Sequence, residues 1–339
     1  MNRQAKLIKY TFTRLCLAPV MLWLIATMVF LMLRIAPGDP VDAILGNRAS
    51  DEARDDLRMK LGLNLPINIQ YINFINNLIH ANFGEALVNQ EPVSKIIYNS
   101  LPASIELAVC SLLIAILLGT IVGFSGIAKS EGKTDLLGRI YGIGTYALPP
   151  FWAAMVFQLI FAVTLGWLPV GGRFPPGLLQ PEGTGFLILD SIINNDFLAL
   201  QGAIRHLALP SITLGVLLSG VFSRALRINL SAQLKKDYIE AARSRGVSEY
   251  NLIVKHALPN SLLPVLTIAG ITIASLIGGA LLIEVTFSWP GIALRLKDAI
   301  SQRDYPVVQG IVVVIAGLVV LITLLVDLIV AAIDPRVNY

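Results

Sequence analysis

Six long apolar windows free of Asp, Glu, Lys and Arg recur along the chain, at residues 15–33, 107–128, 140–172, 206–223, 256–283 and 305–326. Crossing the roughly 30 Å hydrocarbon core of a bilayer as a helix takes about 20 apolar residues at 1.5 Å each. The windows therefore predict six transmembrane helices, over 15–34, 101–128, 140–166, 205–228, 263–284 and 305–332. Between them lie short tails at 1–14 and 333–339 and polar segments at 35–100, 129–139, 167–204, 229–262 and 285–304. Several spans carry breakers or small residues: Pro19, Gly119 with Gly123, Pro149-Pro150, Pro210 and Gly278-Gly279. A helix bundle tolerates these, because neighbouring helices re-satisfy freed backbone groups and small residues allow close approach. The expected fold class is an all-α membrane protein.

Composition agrees with the pattern. Hydrophobic residues make up 55% and charged residues 14% of the chain, with a mean hydropathy of +0.72; soluble domains carry about 25% charged residues. The net charge of +4 matters less than its distribution. With the N-terminus inside, the inner segments hold 15 Lys and Arg against 9 outside, and acids are biased the other way. The positive-inside rule then places both termini in the cytoplasm. The first span follows a basic stretch (Arg3, Lys6, Lys9, Arg14), as in a secretory signal. Its apolar run exceeds the usual 7–15 residues and no small-x-small site precedes Pro37, so an uncleaved span is expected.

The two longest outer segments read differently. In 35–100, a polar helix is expected over 50–61, capped by Ser50 or Asp51 and stopped by Gly62. In 173–204, Pro and Gly predict an irregular loop. Neither has the material for a core of its own, and both are expected to cap the outer mouth of the bundle.

Motifs for covalent chemistry are missing from the sequence: there is no G-x-x-x-x-G-K-[ST] phosphate cradle, no H-E-x-x-H and no G-x-S-x-G. Cys16 and Cys110 lie in apolar runs and His80, His206 and His256 are scattered, which predicts no disulfide framework, metal site or cofactor. Glu106 and Asp327 are the acids closest to hydrocarbon; each lies near a span end, where structural or gating roles outweigh an ion relay.

The informative polar segment is 237–259, DYIEAARSRGVSEYNLIVKHALP. Asp237 and Glu240 fit a capping box, a short helix is expected to about Arg245, and Gly246 suits the left-handed residue that ends it. Ser248 is positioned to cap a second helix over 249–256, and Pro259 to break the chain before the fifth span. Ala241, Ala242 and Gly246 are small and are surrounded by Arg243, Arg245 and Lys255. Small residues ringed by charge suit a knob that seats in another protein's groove.

The spacing Glu240-Ala241-Ala242, three residues, Gly246, nine residues, His256-Ala257-Leu258-Pro259 resembles the EAA loop, E-A-A-x3-G-x9-I-x-L-P, of ABC-importer permeases; His256 stands where the pattern has isoleucine. The likeness extends to the B-type permease of dipeptide, oligopeptide and nickel importers. It is carried by the RIAPGDP run from Arg34 to Pro40, Asn82-Phe83-Gly84, Leu148-Pro149-Pro150-Phe151-Trp152, Leu165-Gly166-Trp167-Leu168-Pro169, Arg303-Asp304-Tyr305-Pro306 and Asp334-Pro335-Arg336.

The resemblance implies a type I importer (MetI-like) permease fold, with a permease domain roughly over 100–335, in a bacterial inner membrane. It implies a transport subunit rather than an enzyme, coupled to ATPases through Asp237, Tyr238, Glu240, Ala241, Ala242, Arg243, Gly246, Leu258 and Pro259. The implied partners are a homologous second permease subunit, two ATP-binding subunits, a periplasmic or lipid-anchored solute-binding protein and membrane lipid, with no nucleic acid. The implied cargo is peptide, with a nickel chelate second. Glu284, Phe287, Ser288, Trp289, Pro290 and Gly291 become a candidate outer gate, against the alternative of an interfacial aromatic anchor. The rival class is an ion-coupled secondary transporter carrying a basic loop.

Overall fold

The computed structural model describes residues 3–35, 41, 45, 50–128 and 133–333. The 36–40 part of the first motif, Lys129 and the Asp334-Pro335-Arg336 motif lie outside the described residues. The described residues are overwhelmingly helical.

Two very long helices form the centre: α4 (Val93–Ala128) and α8 (Phe197–Leu234). Their contact explains the glycines. A Cβ placed on Gly119 would stand 2.5 Å from Phe222 Cβ and 2.7 Å from the Ser219 carbonyl oxygen, and one on Gly123 would stand 2.9 Å from that of Ser223. The Gly119-x-x-x-Gly123 pair is therefore a close helix–helix contact. Opposite it, a Cβ on Gly215 of α8 would lie 3.0 Å from the Ser111 carbonyl oxygen. The most apolar window of α8 is 61% buried, against 11% for α1 (Arg3–Ile35), so α8 is central and α1 peripheral.

The polar stretch after α1 folds back over its end. Ser50 caps α2 (Asp51–Lys60) by accepting from the Ala53 amide at 3.3 Å, and Gly62 turns with φ of +64°. Next, α3 (Ile67–Ile79) packs on α1, with Phe30 5.3 Å from the Tyr71 ring and 5.4 Å from that of Phe74.

The third expected span is a bent pair of helices rather than one straight helix. Helix α5 (Lys133–Ala147) ends before Leu148-Pro149, and α6 (Pro150–Phe157) continues as a π-helical stretch, Gln158–Thr164, at 105° to it. The cause is local: residues before proline are driven out of the helical region, and two prolines stand in succession. The expected irregular loop at 173–204 is also partly helical, with α7 (Leu187–Ile193) and the start of α8, which Asp196 caps through the Ala199 amide at 2.9 Å.

After α8 come α9 (Asp237–Ser244), the single turn α10 (Glu249–Asn251), a π-helical stretch Leu252–Ala257, and α11 (Leu258–Gly279). Then follow α12 (Leu281–Thr286), α13 (Ile292–Gln302) and α14 (Tyr305–Ile333). Among the described residues four helices are long and apolar enough to cross a membrane; the number rises to six if each of two bent pairs is one span. Helix α14 packs against α1 and α11. Arg14 and Asp327 meet at 3.2 Å, which gives the acid near the end of the sixth window a structural partner.

Candidate functional site

The 237–259 segment is a hairpin with its own apolar base. Ile239, Ala242, Leu252, Ile253 and Ala257 pack with Leu230 of α8, flanked by Phe124 of α4, Leu234, Val247 and Leu258. Periodicity explains the arrangement: Ile239 and Ala242 are three apart on one helical face, so both point at the bundle. Ala242 thus belongs to the base, whereas Ala241 and Gly246 are exposed. The single small-residue face expected from sequence is split across the helix. Leu258 is half-buried in the same base, and Pro259 is exposed.

The caps also differ from expectation. Lys236 is the residue preceding α9 and no side chain caps that end, so the Asp237–Glu240 capping box does not form. Ser248 precedes α10 without accepting from its amides; its Oγ instead accepts from Asn251 Nδ2 at 3.0 Å. Pro259 does not break the chain: it sits in the first turn of α11, where a missing N–H is tolerated. The turn itself forms as the sequence implies. Helix α9 ends at Ser244, Gly246 adopts φ of +79°, and the Val247 amide donates back to the Ala242 carbonyl at 3.3 Å.

Arg243 bridges the two arms, donating from Nε to Glu249 Oε1 at 2.6 Å and from Nη2 to Oε2 at 3.2 Å. That forked contact lowers the Glu249 carboxyl below its ordinary range and raises the Arg243 guanidinium above its own. Tyr238 holds α9 to its neighbours, its hydroxyl donating to Gln233 Oε1 at 3.1 Å, with the His256 carbonyl a second acceptor within reach at 3.4 Å. The tip is left open: nothing lies within 4 Å of a Cβ placed on Gly246, and Glu240, Ala241 and Arg245 around it are exposed.

The 284–291 segment lies at the other end of α11. Glu284 is fully buried; its Oε1 accepts from Ser104 Oγ at 2.6 Å and its Oε2 from the Leu294 amide at 2.8 Å. Ser104 Oγ in turn accepts from the Ile292 amide at 2.8 Å. Gly291 is required here, since a Cβ on it would collide with both Glu284 carboxylate oxygens. Trp289 Nε1 donates to the Ala103 carbonyl at 2.9 Å, and Phe287 and Trp289 are buried in the largest apolar cluster. Of the six candidate gate residues, Ser288, at a left-handed φ of +49°, and Pro290 face outward. The two rings are core residues.

A strap from the preceding loop clamps this segment. The Gly172 amide donates to the Phe287 carbonyl at 2.8 Å, and Gln158 Nε2 donates to the Val170 and Thr286 carbonyls at 2.6 and 3.1 Å. Arg173 Nη2 donates to Glu106 Oε2 at 2.6 Å and to the Gly185 carbonyl at 2.7 Å, while the Ile188 amide donates to Glu106 Oε1 at 3.0 Å. Sequence reasoning passed over Ser104, Gln158 and Arg173. Of these only Arg173 gave a signal, as the one basic residue between Arg139 and Arg205.

Membrane-length apolar helices with a structured hydrophilic hairpin at one end define a polytopic membrane protein. The chain belongs to the family of binding-protein-dependent transport system inner membrane components. The family's sequence profile matches residues 115–339, and the profile of its N-terminal region matches 7–108. The dipeptide transport system permease of Alkalihalophilus pseudofirmus is 37% identical over 333 residues, covering 98% of this chain and all of that protein. The di/tripeptide transport system permease of Pseudomonas aeruginosa is 36% identical over 292 residues, covering 86% of this chain and 87% of that protein. The glutathione transport system permease of Salmonella typhimurium is 32% identical over 334 residues, covering 98% of this chain and all of that protein. Family membership makes the chain an inner-membrane permease subunit of an ATP-driven importer rather than an enzyme, and disfavours the ion-coupled carrier.

Proposed function

We propose that this permease carries short peptides, that it forms half of the path with a homologous second membrane subunit, and that the 237–259 hairpin is its contact with two ATP-binding subunits. The observation that carries the reading is the division of the hairpin. Its inner face is packed onto α4 and α8, while its tip, around Gly246, offers backbone, Ala241 and charged side chains to a partner. A partner's movement at the tip is thereby transmitted to the central helices instead of being absorbed in a slack loop. Closing of the ATP-binding subunits would draw two such hairpins together and open the path outward.

A periplasmic or lipid-anchored binding protein would deliver the cargo at the opposite end. Glu284, Phe287, Ser288, Trp289, Pro290 and Gly291 serve there as a rigid lip, in which the buried carboxylate and rings hold the frame and Ser288 and Pro290 face the incoming protein. The proposed topology has six crossings with both termini in the cytoplasm. Peptide cargo is favoured over a nickel chelate by the relatives, which are dipeptide, di/tripeptide and glutathione permeases.

The test is uptake of labelled di- and tripeptides by vesicles holding the full importer, with ATP hydrolysis measured alongside. Uptake lost on altering the hairpin tip, with basal hydrolysis persisting but no longer stimulated by peptide, is the expected result. Uptake unaffected by any change at Glu240, Ala241 or Gly246 would refute the hairpin's role, and accumulation of nickel but not peptide would refute the cargo.

A further inference from the structure

A second site lies away from the hairpin and the 284–291 segment, where α1, α3 and the first turn of α14 meet. A cavity of about 230 Å³ there is lined by Arg34, Gln70, Asn73, Asn77 and Gln309 together with apolar side chains. Two of its donors are buried without an acceptor: Arg34 Nη1 and Gln309 Nε2. Buried donors almost always find partners, so this pair signals a missing acceptor.

Charge sharpens the point. Arg34 donates from Nε to Gln70 Oε1 at 2.9 Å, and its guanidinium lies 5.0 Å from the Phe30 ring centroid and 5.5 Å from that of Tyr305. Arg34 has no salt bridge among the described residues. Gln70 is itself fixed, its Nε2 donating to the Leu63 and Leu65 carbonyls at 3.2 and 2.8 Å. Asp304, which precedes α14, is taken up by the amides of Leu87, Val88 and Val307 at 2.9, 3.4 and 3.4 Å. A cation is thus held rigidly, half-buried, beside a neutral donor and facing a cavity, which suits an anion with several acceptor oxygens.

Position selects the anion. Arg34 directly follows the apolar window 15–33, whose 19 residues rise about 28 Å as a helix. That places Arg34 at the depth of lipid head groups when the window fills the hydrocarbon. The two helices framing the cavity also expose Met28, Met32, Ile35, Ile72 and Ile79, apolar surface suited to acyl chains rather than to water. At about 30 Å³ per liquid water, the cavity holds on the order of seven waters, enough for a phosphodiester and its ester linkage but too small for a peptide.

We propose that this cavity binds the phosphodiester head group of a phospholipid, with Arg34 and Gln309 as donors to the phosphate oxygens. The site is independent of the transport reading. Free phosphate shares the recognition chemistry, so the test separates the two sources. Full-length protein, delipidated in detergent, is titrated with phosphatidylglycerol, with diacylglycerol lacking phosphate, and with inorganic phosphate. Bound lipid is counted by native mass spectrometry and thermal stability is measured. Phosphatidylglycerol alone should be retained and raise the melting temperature, and Arg34→Gln and Gln309→Leu should each weaken its binding roughly tenfold. Arg34→Lys keeps the charge but not the planar fork and should fall between; it and Gln309→Leu keep the test decisive if Arg34→Gln fails to fold. Equal retention by wild type, Gln309→Leu and Arg34→Lys would overturn the site. Equal stabilisation by diacylglycerol, or stabilisation by inorganic phosphate without any by lipid, would overturn the lipid assignment.

Discussion

Gly246 offers a way to separate folding of the hairpin from docking at its tip. Its φ of +79° lies in the left-handed region, and a Cβ added there meets nothing within 4 Å. Substitution therefore costs backbone strain alone within this chain. For alanine that is about 1–2 kcal/mol, and for asparagine less, because its side chain is tolerated in that conformation. The strain falls on a turn whose base is held independently by Ile239, Leu252 and Ala257, so the bundle should fold in every variant. A partner seated on the tip would meet the new side chain directly. Gly246→Asn, with little strain but four added heavy atoms, should then impair uptake nearly as much as Gly246→Trp, while membrane insertion and the melting temperature in detergent stay close to wild type. Uptake by reconstituted importer, ATP hydrolysis and co-purification of the ATP-binding subunits are the assays. If uptake follows the strain order, with asparagine near wild type and alanine worse, the tip is a conformational requirement and not a contact surface. Full uptake by Gly246→Trp would remove the hairpin from the coupling path altogether.

Other predictions concern the frame. Arg173→Ala leaves Glu106 as an unpaired carboxylate, and with side-chain exposures of 10% and 8% in this pair the loss should be about 3–5 kcal/mol, read as a lower melting temperature and faster proteolysis between 173 and 190. Glu284→Ala strands Ser104 and the Leu294 amide and should destabilise by about 1–3 kcal/mol, with Glu284→Gln milder; unchanged melting would refute the cluster's structural weight. Gly119→Leu should abolish folded yield, because its side chain has only the Phe222 Cβ and the Ser219 backbone to enter, whereas Gly144→Leu, with nothing within 4 Å, should be tolerated. A reporter active only in the periplasm, fused after Tyr339, should be silent if both termini are cytoplasmic.

The apolar windows made the long helices legible, because a run without charge has few alternatives to a helix in hydrocarbon. The turn at Gly246 was legible as well, since left-handed backbone selects for glycine. Side-chain direction was not. In Ala241-Ala242 the two alanines are chemically identical, and only the position of Leu230 and Leu252 decides which one is buried. Phe287 and Trp289 match an interfacial motif by composition, yet the Ala103 carbonyl that receives the indole N–H comes from a helix nearly two hundred residues earlier. Pro149-Pro150 read as breakers that a bundle tolerates, and the 105° bend at them depends on the floor that α6 finds against α8 and α12.

Helix α8 runs without interruption for 38 residues, about 57 Å of rod, and the hairpin is fastened to its final turns. A rod of that length amplifies: each degree of tilt pivoted at one end sweeps the other by about 1 Å. An angular adjustment of only a few degrees, small enough to leave the glycine-lined seam with α4 intact, would shift the far end of α8 by the width of a small side chain.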